Sequence, residues 1–181
     1  NNRRYSVENL ALAGDSSTQL ITLAFWIKLG ATLPHTFPIL QIGAENGTSD
    51  RPIVNVTLTS ARKVRLITFN KASVAKQHWT ADAVLAVGTP YQVIVTYNGR
   101  EADNTPSIYI NGVQQSLTHT QNQQVAMGAI ATGTRLDIGG GCGSAGAVNG
   151  NFISPPDFHI GEVAFWDTYD NSTEFINQIY A

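Results

Sequence analysis

Cysteine is almost missing from this chain: Cys142 stands alone among 181 residues. A single thiol closes no internal disulfide, so burial of apolar side chains must hold the core together. Charge is sparse as well. Charged residues make up 13% of the chain, where about 25% is usual in globular proteins, and the formal net charge is only −2. That balance lacks the basic footprint of a nucleic-acid or membrane-surface partner and leaves solubility to Asn, Gln, Ser and Thr. Such a composition suits a secreted or virion-surface protein. No apolar run approaches the roughly 18 residues that cross a membrane, so no membrane insertion is expected; "ITLAFWI" comes nearest and has the character of a strand. His35, His78, His119 and His159 are scattered with no pair at ligand spacing, which speaks against a nitrogen- or sulfur-bound metal. An initiator Met and a signal-peptide pattern are both missing, and "NNRRYSVENLAL" runs quickly into a strand-like stretch. We therefore expect a processed protein or a piece of a longer polypeptide.

What the chain does have is alternation with period two. In "QLITLAFWIKL" (19–29), Ile21, Leu23, Phe25, Ile27 and Leu29 share one face, with Ala24, Trp26 and Lys28 opposite. "FPILQIGAEN" (37–46) predicts a short strand running into a Gly- and Asn-rich loop. "PIVNVTLTSARKVRLITFN" predicts a hairpin, with Val54, Val56 and Leu58 on one face and the return strand over Val64 to Phe69. "TPYQVIVTYNG" (89–99) puts Tyr91, Val93, Val95 and Tyr97 on one face, and "PSIYING" follows as its antiparallel neighbour. There Ile108 and Ile110 point one way and Tyr109 the other, until Asn111-Gly112 reverses the chain at little cost in positive φ. "TRLDIGG" (134–140) and "DFHIGEVAFWDTY" (157–169) complete the strand-like segments. The one convincing helix is terminal: Asn171 reads as N-cap with Glu174 at N3, and Phe175–Ile179 and Ile176–Tyr180 are apolar i,i+4 pairs. No fixed-period repeat argues for a propeller or solenoid. The expectation is one all-β domain over 1–181, a two-sheet antiparallel sandwich with a short C-terminal helix.

The order of segments narrows this further. "LAFWIKL", "PILQIG", "YQVIVTYNG", "PSIYINGVQQS", "LDIGGG" and "FHIGEVAFWDTYDNSTEFINQIY" follow one another in a way that resembles the laminin-G-like members of the concanavalin A-like lectin and glucanase superfamily. The resemblance runs over about residues 4 to 181 and implies a jelly roll. It departs from the family at Tyr91, where a Trp is usual, and at a first strand that begins late. Trp26 and Trp166 read as packing residues.

Each candidate site has a plain reading beside it. Glycoside hydrolysis needs two carboxyl groups about 5–9.5 Å apart. In the glucanase branch of the resembled superfamily these acids share one strand. The only Glu-x-Asp here, Glu101-Ala102-Asp103, lies in a loop without a third acid, and Glu162 is isolated, so no enzyme is expected. "GCGSAG" (141–146) matches a dinucleotide fingerprint but no helix follows, leaving a loop at the sandwich rim. The resemblance implies calcium, for which Glu45, Asn46 and Asp50 in "GAENGTSDRP" supply hard oxygen ligands, although such residues also simply make turns. Arg62, Lys63 and Arg65 in "ARKVR" offer a sulfated polysaccharide a basic hairpin, or merely a solvated one. Asn46, Asn55 and Asn171 each open a glycosylation acceptor pattern. Trp79 beside His78 is the preferred exposed aromatic for stacking on a sugar, with core packing as its rival.

The leading expectation is a non-catalytic, lectin-like recognition or adhesion domain. It would bind a glycan or surface protein through rim loops and be displayed outside a cell or on a virion. A structural virion component, partnered by capsid or tail proteins and by itself as a homo-oligomer, is the alternative; a glycoside hydrolase is disfavoured.

Overall fold

The computed structural model describes residues 5–7, 10, 17–31, 35–43, 52–70, 76–120, 125–139 and 157–180. Its elements are β1 (Tyr5–Val7), β2 (Ser17–Thr18), β3 (Leu20–Leu29), β4 (Phe37–Gly43), β5 (Pro52–Leu58), β6 (Val64–Phe69), β7 (Lys76–Ala81), β8 (Pro90–Asn98), β9 (Ser107–Ile110), β10 (Val113–Gln114), β11 (Leu117–Thr120), β12 (Ile130–Ala131), β13 (Arg135–Ile138), β14 (Phe158–Trp166) and α1 (Thr173–Tyr180). They form an antiparallel jelly-roll sandwich. One sheet has the order β1-β13-β4-β5-β6-β7-β11, the other β10-β9-β8-β3-β14, and β2 pairs with β12 separately.

Alternation builds the core. Ile21, Leu23, Phe25, Ile27 and Leu29 of β3 face inward with Val93, Val95 and Tyr97 of β8 and Ile108 and Ile110 of β9. Val54, Val56 and Leu58 meet them from the opposite sheet. The hairpin of Asn111 (φ 50°) and Gly112 (φ 74°) aligns Val113 with Ile110, as a two-residue turn with positive φ requires.

The other face of the five-stranded sheet is not bare. Ala24, Ile94 and Tyr109 form a second apolar patch with Ile176, and α1 lies across it with Phe175, Ile179 and Trp166 alongside. The connection into α1 is tied down by Thr22, whose hydroxyl donates to Thr168 O at 3.0 Å, and by Tyr109, whose hydroxyl donates to Asn171 O at 3.3 Å. The helix cap differs from expectation. Ser172 Oγ accepts from Phe175 N at 3.2 Å, and Ser172 N donates to Asp170 Oδ1 at 2.8 Å. Ser172, whose carbonyl accepts the first helical bond from Ile176 N at 3.1 Å, is therefore the N-cap and Glu174 sits at N2.

Strands β7 and β11 went unmarked in the sequence, as did the two-residue β2 and β12. β7 ("KQHWTA") carries Gln on the inner face, which breaks the apolar alternation. Gln77 is fully buried there and its Nε2 donates to Ala102 O and Val125 O at 3.0 and 2.8 Å, so the amide replaces apolar packing with loop anchoring. β11 ("LTHT") closes the sheet edge inside what reads as a polar linker.

Candidate functional site

The expected sugar platform is not one. Trp79 is only 1% exposed, packed against Tyr97 at 5.2 Å between ring centroids and covered by a stacked His119 at 4.8 Å. Strand alternation turns His78 to the opposite face, so these two neighbours in sequence share no surface. Burial, reinforced by the charges of Lys76, Arg65 and His119, pushes the His78 imidazole down to about 4. His119 is likewise lowered by burial, and burial pushes the Tyr97 phenol up to about 12.

Arg62 and Lys63 lie at the β5–β6 turn, where Arg62 adopts a φ of 61°. Lys63 N donates to Thr59 Oγ1 at 3.1 Å, and Lys63 Nζ lies 3.8 Å from Asp82 Oδ1. Arg65 is on β6, its Nε donating to Thr80 Oγ1 at 3.1 Å. The structure thus brings Arg65 near His78 on one sheet face and leaves Arg62 and Lys63 at the turn. On that face Asn55 Oδ1, Thr57 Oγ1 and His78 Nε2 are buried and without hydrogen-bond partners. Asn55 sits mid-strand in β5 and is half-buried. Glu45, Asn46 and Asp50, and the whole of "GCGSAG", lie outside the described residues. Among the described residues no three His, Cys, Asp or Glu side chains group to hold a metal, and no helix is long and apolar enough to cross a membrane.

A cavity forms elsewhere. It opens on the outer face of the five-stranded sheet beside α1, has a volume of about 420 Å³, and is lined by Trp26, Gln92, Glu162, Trp166 and Gln178 among others. Each lining residue has a local reason to be there. Trp26 occupies the outward alternate position of β3, directly paired with Gln92 of β8 and Gly161 of β14. Gly161 presents no side chain, and a Cβ there would meet nothing within 4 Å. After Gly161 the register slips: Glu162 and Val163 together oppose Phe25 before pairing resumes at Ala164. In this β-bulge Glu162 takes a left-handed φ of 49°, so Val163 packs on the core while Glu162 lines the cavity. Trp166 ends the strand and meets Phe175 of α1 edge-on at 6.0 Å.

Gln92 is the unusual member. It is 6% exposed, and its Nε2 donates to Ile179 O at 2.8 Å, capping one of the free carbonyls at the end of α1. That bond determines which way the amide points, and it leaves Oε1 buried without a partner. An unsatisfied buried acceptor of this kind costs about 1–3 kcal/mol. Sequence reading treated Trp26 and Trp166 as packing residues and Glu162 as isolated. One signal was available: Trp26 is a large aromatic on the face of β3 that also carries Lys28.

Several solved structures share this fold. The native heptameric SAP-like pentraxin from Limulus polyphemus aligns with a TM-score of 0.63 at 14% identity, covering 99% of this chain and 82% of the pentraxin chain. Trypanosoma rangeli sialidase in complex with sialic acid aligns at 0.56 and 18% identity, over 89% of this chain but only 22% of the sialidase. Domain 4 of an extracellular arabinanase from Geobacillus stearothermophilus, in complex with arabinotriose, aligns at 0.54 and 12% identity, over 91% of this chain and 68% of that one. No curated protein matches the sequence. At these identities the structural likeness speaks for fold alone. The laminin-G family described as the concanavalin A-like lectin/glucanases superfamily matches residues 5–174, nearly the full chain. With the two-sheet jelly roll and the terminal helix in place, the chain belongs to that superfamily.

Proposed function

We propose that this chain is a non-catalytic, lectin-like recognition domain that binds a glycan and is displayed outside a cell or on a virion surface. The observation that carries the reading is the cavity beside α1, whose lining brings together two indoles, the Glu162 carboxylate and the amide of the exposed Gln178. Sugar rings present an apolar C–H face and a rim of hydroxyls, and this mixture of aromatic surface and fixed acceptors suits both. Support for the non-catalytic part comes from the lining itself. Glu162 is its one carboxyl group among the described residues, whereas glycosidic cleavage calls for two flanking the bond. Domain 4 of the arabinanase was solved in complex with arabinotriose, so saccharide recognition occurs on a domain of similar fold. The Limulus pentraxin is heptameric, and self-association of this chain is a corollary that sedimentation velocity measures.

A glycan array probed with the full chain, with and without calcium, tests the reading. Binding to at least one glycan is expected; a blank array in both conditions overturns it. Release of reducing sugar by the purified chain, abolished by substituting an Asp or Glu, overturns the non-catalytic part.

A further inference from the structure

We infer that Gly161 belongs to the binding surface: it keeps one flank of the Trp26 indole clear, so that a sugar ring packs against the indole over the bare backbone of β14. The inference rests on the lectin-like reading and adds to it the platform and the residue that holds it open. Gly161 has no structural reason to be glycine. It lies inside a nine-residue strand, where glycine weakens the sheet for want of a side chain to pack. Its φ is outside the left-handed region, which in this strand belongs to Glu162 alone. Crowding does not forbid a side chain either. A Cβ at Gly161 would meet no described atom within 4 Å beyond its chain neighbours. A glycine with neither a backbone need nor a packing need, at an exposed strand position, marks a place where another molecule approaches the main chain.

The neighbours select what approaches. Trp26 is the direct cross-strand partner of Gly161, so both positions point to the same side of the sheet. An aromatic ring opposite a strand glycine can fold over it and cover the gap. Here no ring atom comes within 4 Å of the Cβ position at Gly161, so the half-buried indole stands beside the gap and leaves it open. The next outward pair, Ala24 with Ala164, is also too small to fill the space, and both alanines line the cavity beside α1 with Trp26. Polar groups border the gap. Lys28 faces His159 on one side, and the bulge brings the exposed Glu162 to the other. β14 is the last strand of its sheet, so its outer edge carries main-chain N–H and C=O groups without a ladder partner among the described residues. A sugar ring suits this setting, with an apolar C–H face for the indole and hydroxyls that both donate and accept at the rim. An added β-strand suits it poorly, because the bulge at Glu162 interrupts the regular edge that strand pairing requires.

The experiment probes one glycan array, carrying arabinotriose, cellotriose, maltotriose and lactose among its sugars, with the full chain and with its Gly161→Ala and Gly161→Val variants. Apparent affinity is measured on every spot that the parent binds, and thermal melts and sedimentation velocity are run on all three proteins. Gly161→Val, whose branched side chain fills the gap, weakens binding by about tenfold or more, and Gly161→Ala weakens it less. Both variants melt at or above the temperature of the parent, because a side chain at this position has room and strengthens the strand. Binding by Gly161→Val within about twofold of the parent overturns the inference. A melting temperature lowered by about 3 °C or more also overturns it, since the glycine then has a structural purpose. So does a change in oligomeric state with saccharide binding intact, which assigns the edge of β14 to a protein partner. In these three cases the positive array still supports the lectin-like reading. An array on which the parent binds nothing overturns both.

Discussion

Asn111 and Gln92 hold each other through two hydrogen bonds: Asn111 N donates to Gln92 O at 2.9 Å, and Gln92 N donates to Asn111 Oδ1 at 2.9 Å. A hairpin turn thereby clamps the backbone of the residue whose side chain caps α1 and lines the cavity. The turn is coupled to the helix a second way, since a Cβ at Gly112 would lie 3.5 Å from the Tyr180 ring. The "NG" of this hairpin reverses the chain, and it also positions the site.

Asn111→Ala removes one of the two bonds and places a less tolerant residue at positive φ, so it should destabilise the chain by about 1–3 kcal/mol. Asn111→Gly relieves the backbone strain without restoring the side-chain bond and should recover only part of the loss. Urea unfolding of the three proteins measures both differences. Equal stability of Asn111→Ala and the parent would remove the clamp from the account.

The tryptophans should separate by role. Trp79→Ala empties a fully buried site and should cost about 3–5 kcal/mol. Trp26→Ala, at a half-buried position on the outer face, should cost less than half as much and abolish saccharide binding. Paired unfolding and titration curves check this; loss of binding in a folded Trp79→Phe, with Trp26→Ala unaffected, would reverse the assignment.

Stability should fall with acid partly through His78. Its folded pKa, about 4, lies below the ordinary value of 6.5, so between those values the unfolded chain binds more protons than the folded one. The stabilisation from keeping the ring neutral is complete above about pH 6.5 and drains away as pH falls toward 4. Because water still reaches part of the ring, the expected size is on the order of 1–2 kcal/mol. Carboxylates titrate in the same window, so the measurement is the difference between parent and His78→Gln across pH 4 to 7. A constant difference would contradict it.

Ser172→Ala should cost about 1 kcal/mol by leaving the Phe175 N–H without its cap, while Asn171→Ala should cost only a few tenths. Thermal melts of the two variants distinguish the caps. A larger loss for Asn171→Ala would return the cap to Asn171.

The alternation of β3, β5, β8 and β9 made the sandwich legible in the sequence, because a buried sheet face demands an apolar residue at every second position and the turn residues punctuate the rest. β7 escaped that reading because Gln77 and Trp79 face inward together, the Gln77 Nε2 bonded to two loop carbonyls far away in sequence. Placement of Trp79 and His78 failed for a related reason. Adjacent residues look like a shared surface until a strand assigns them to opposite faces.

Local pattern by itself determined the all-β class, the inward faces of the main strands, the Asn-Gly reversal and the terminal helix, since each depends only on residues within a few positions of one another. Tertiary structure alone decided the cavity. Trp26, Gln92, Glu162 and Gln178 come from three strands and a helix, and cross-strand register, a bulge and the docking of α1 bring them together. No short-range pattern encodes a contact between residues so far apart along the chain.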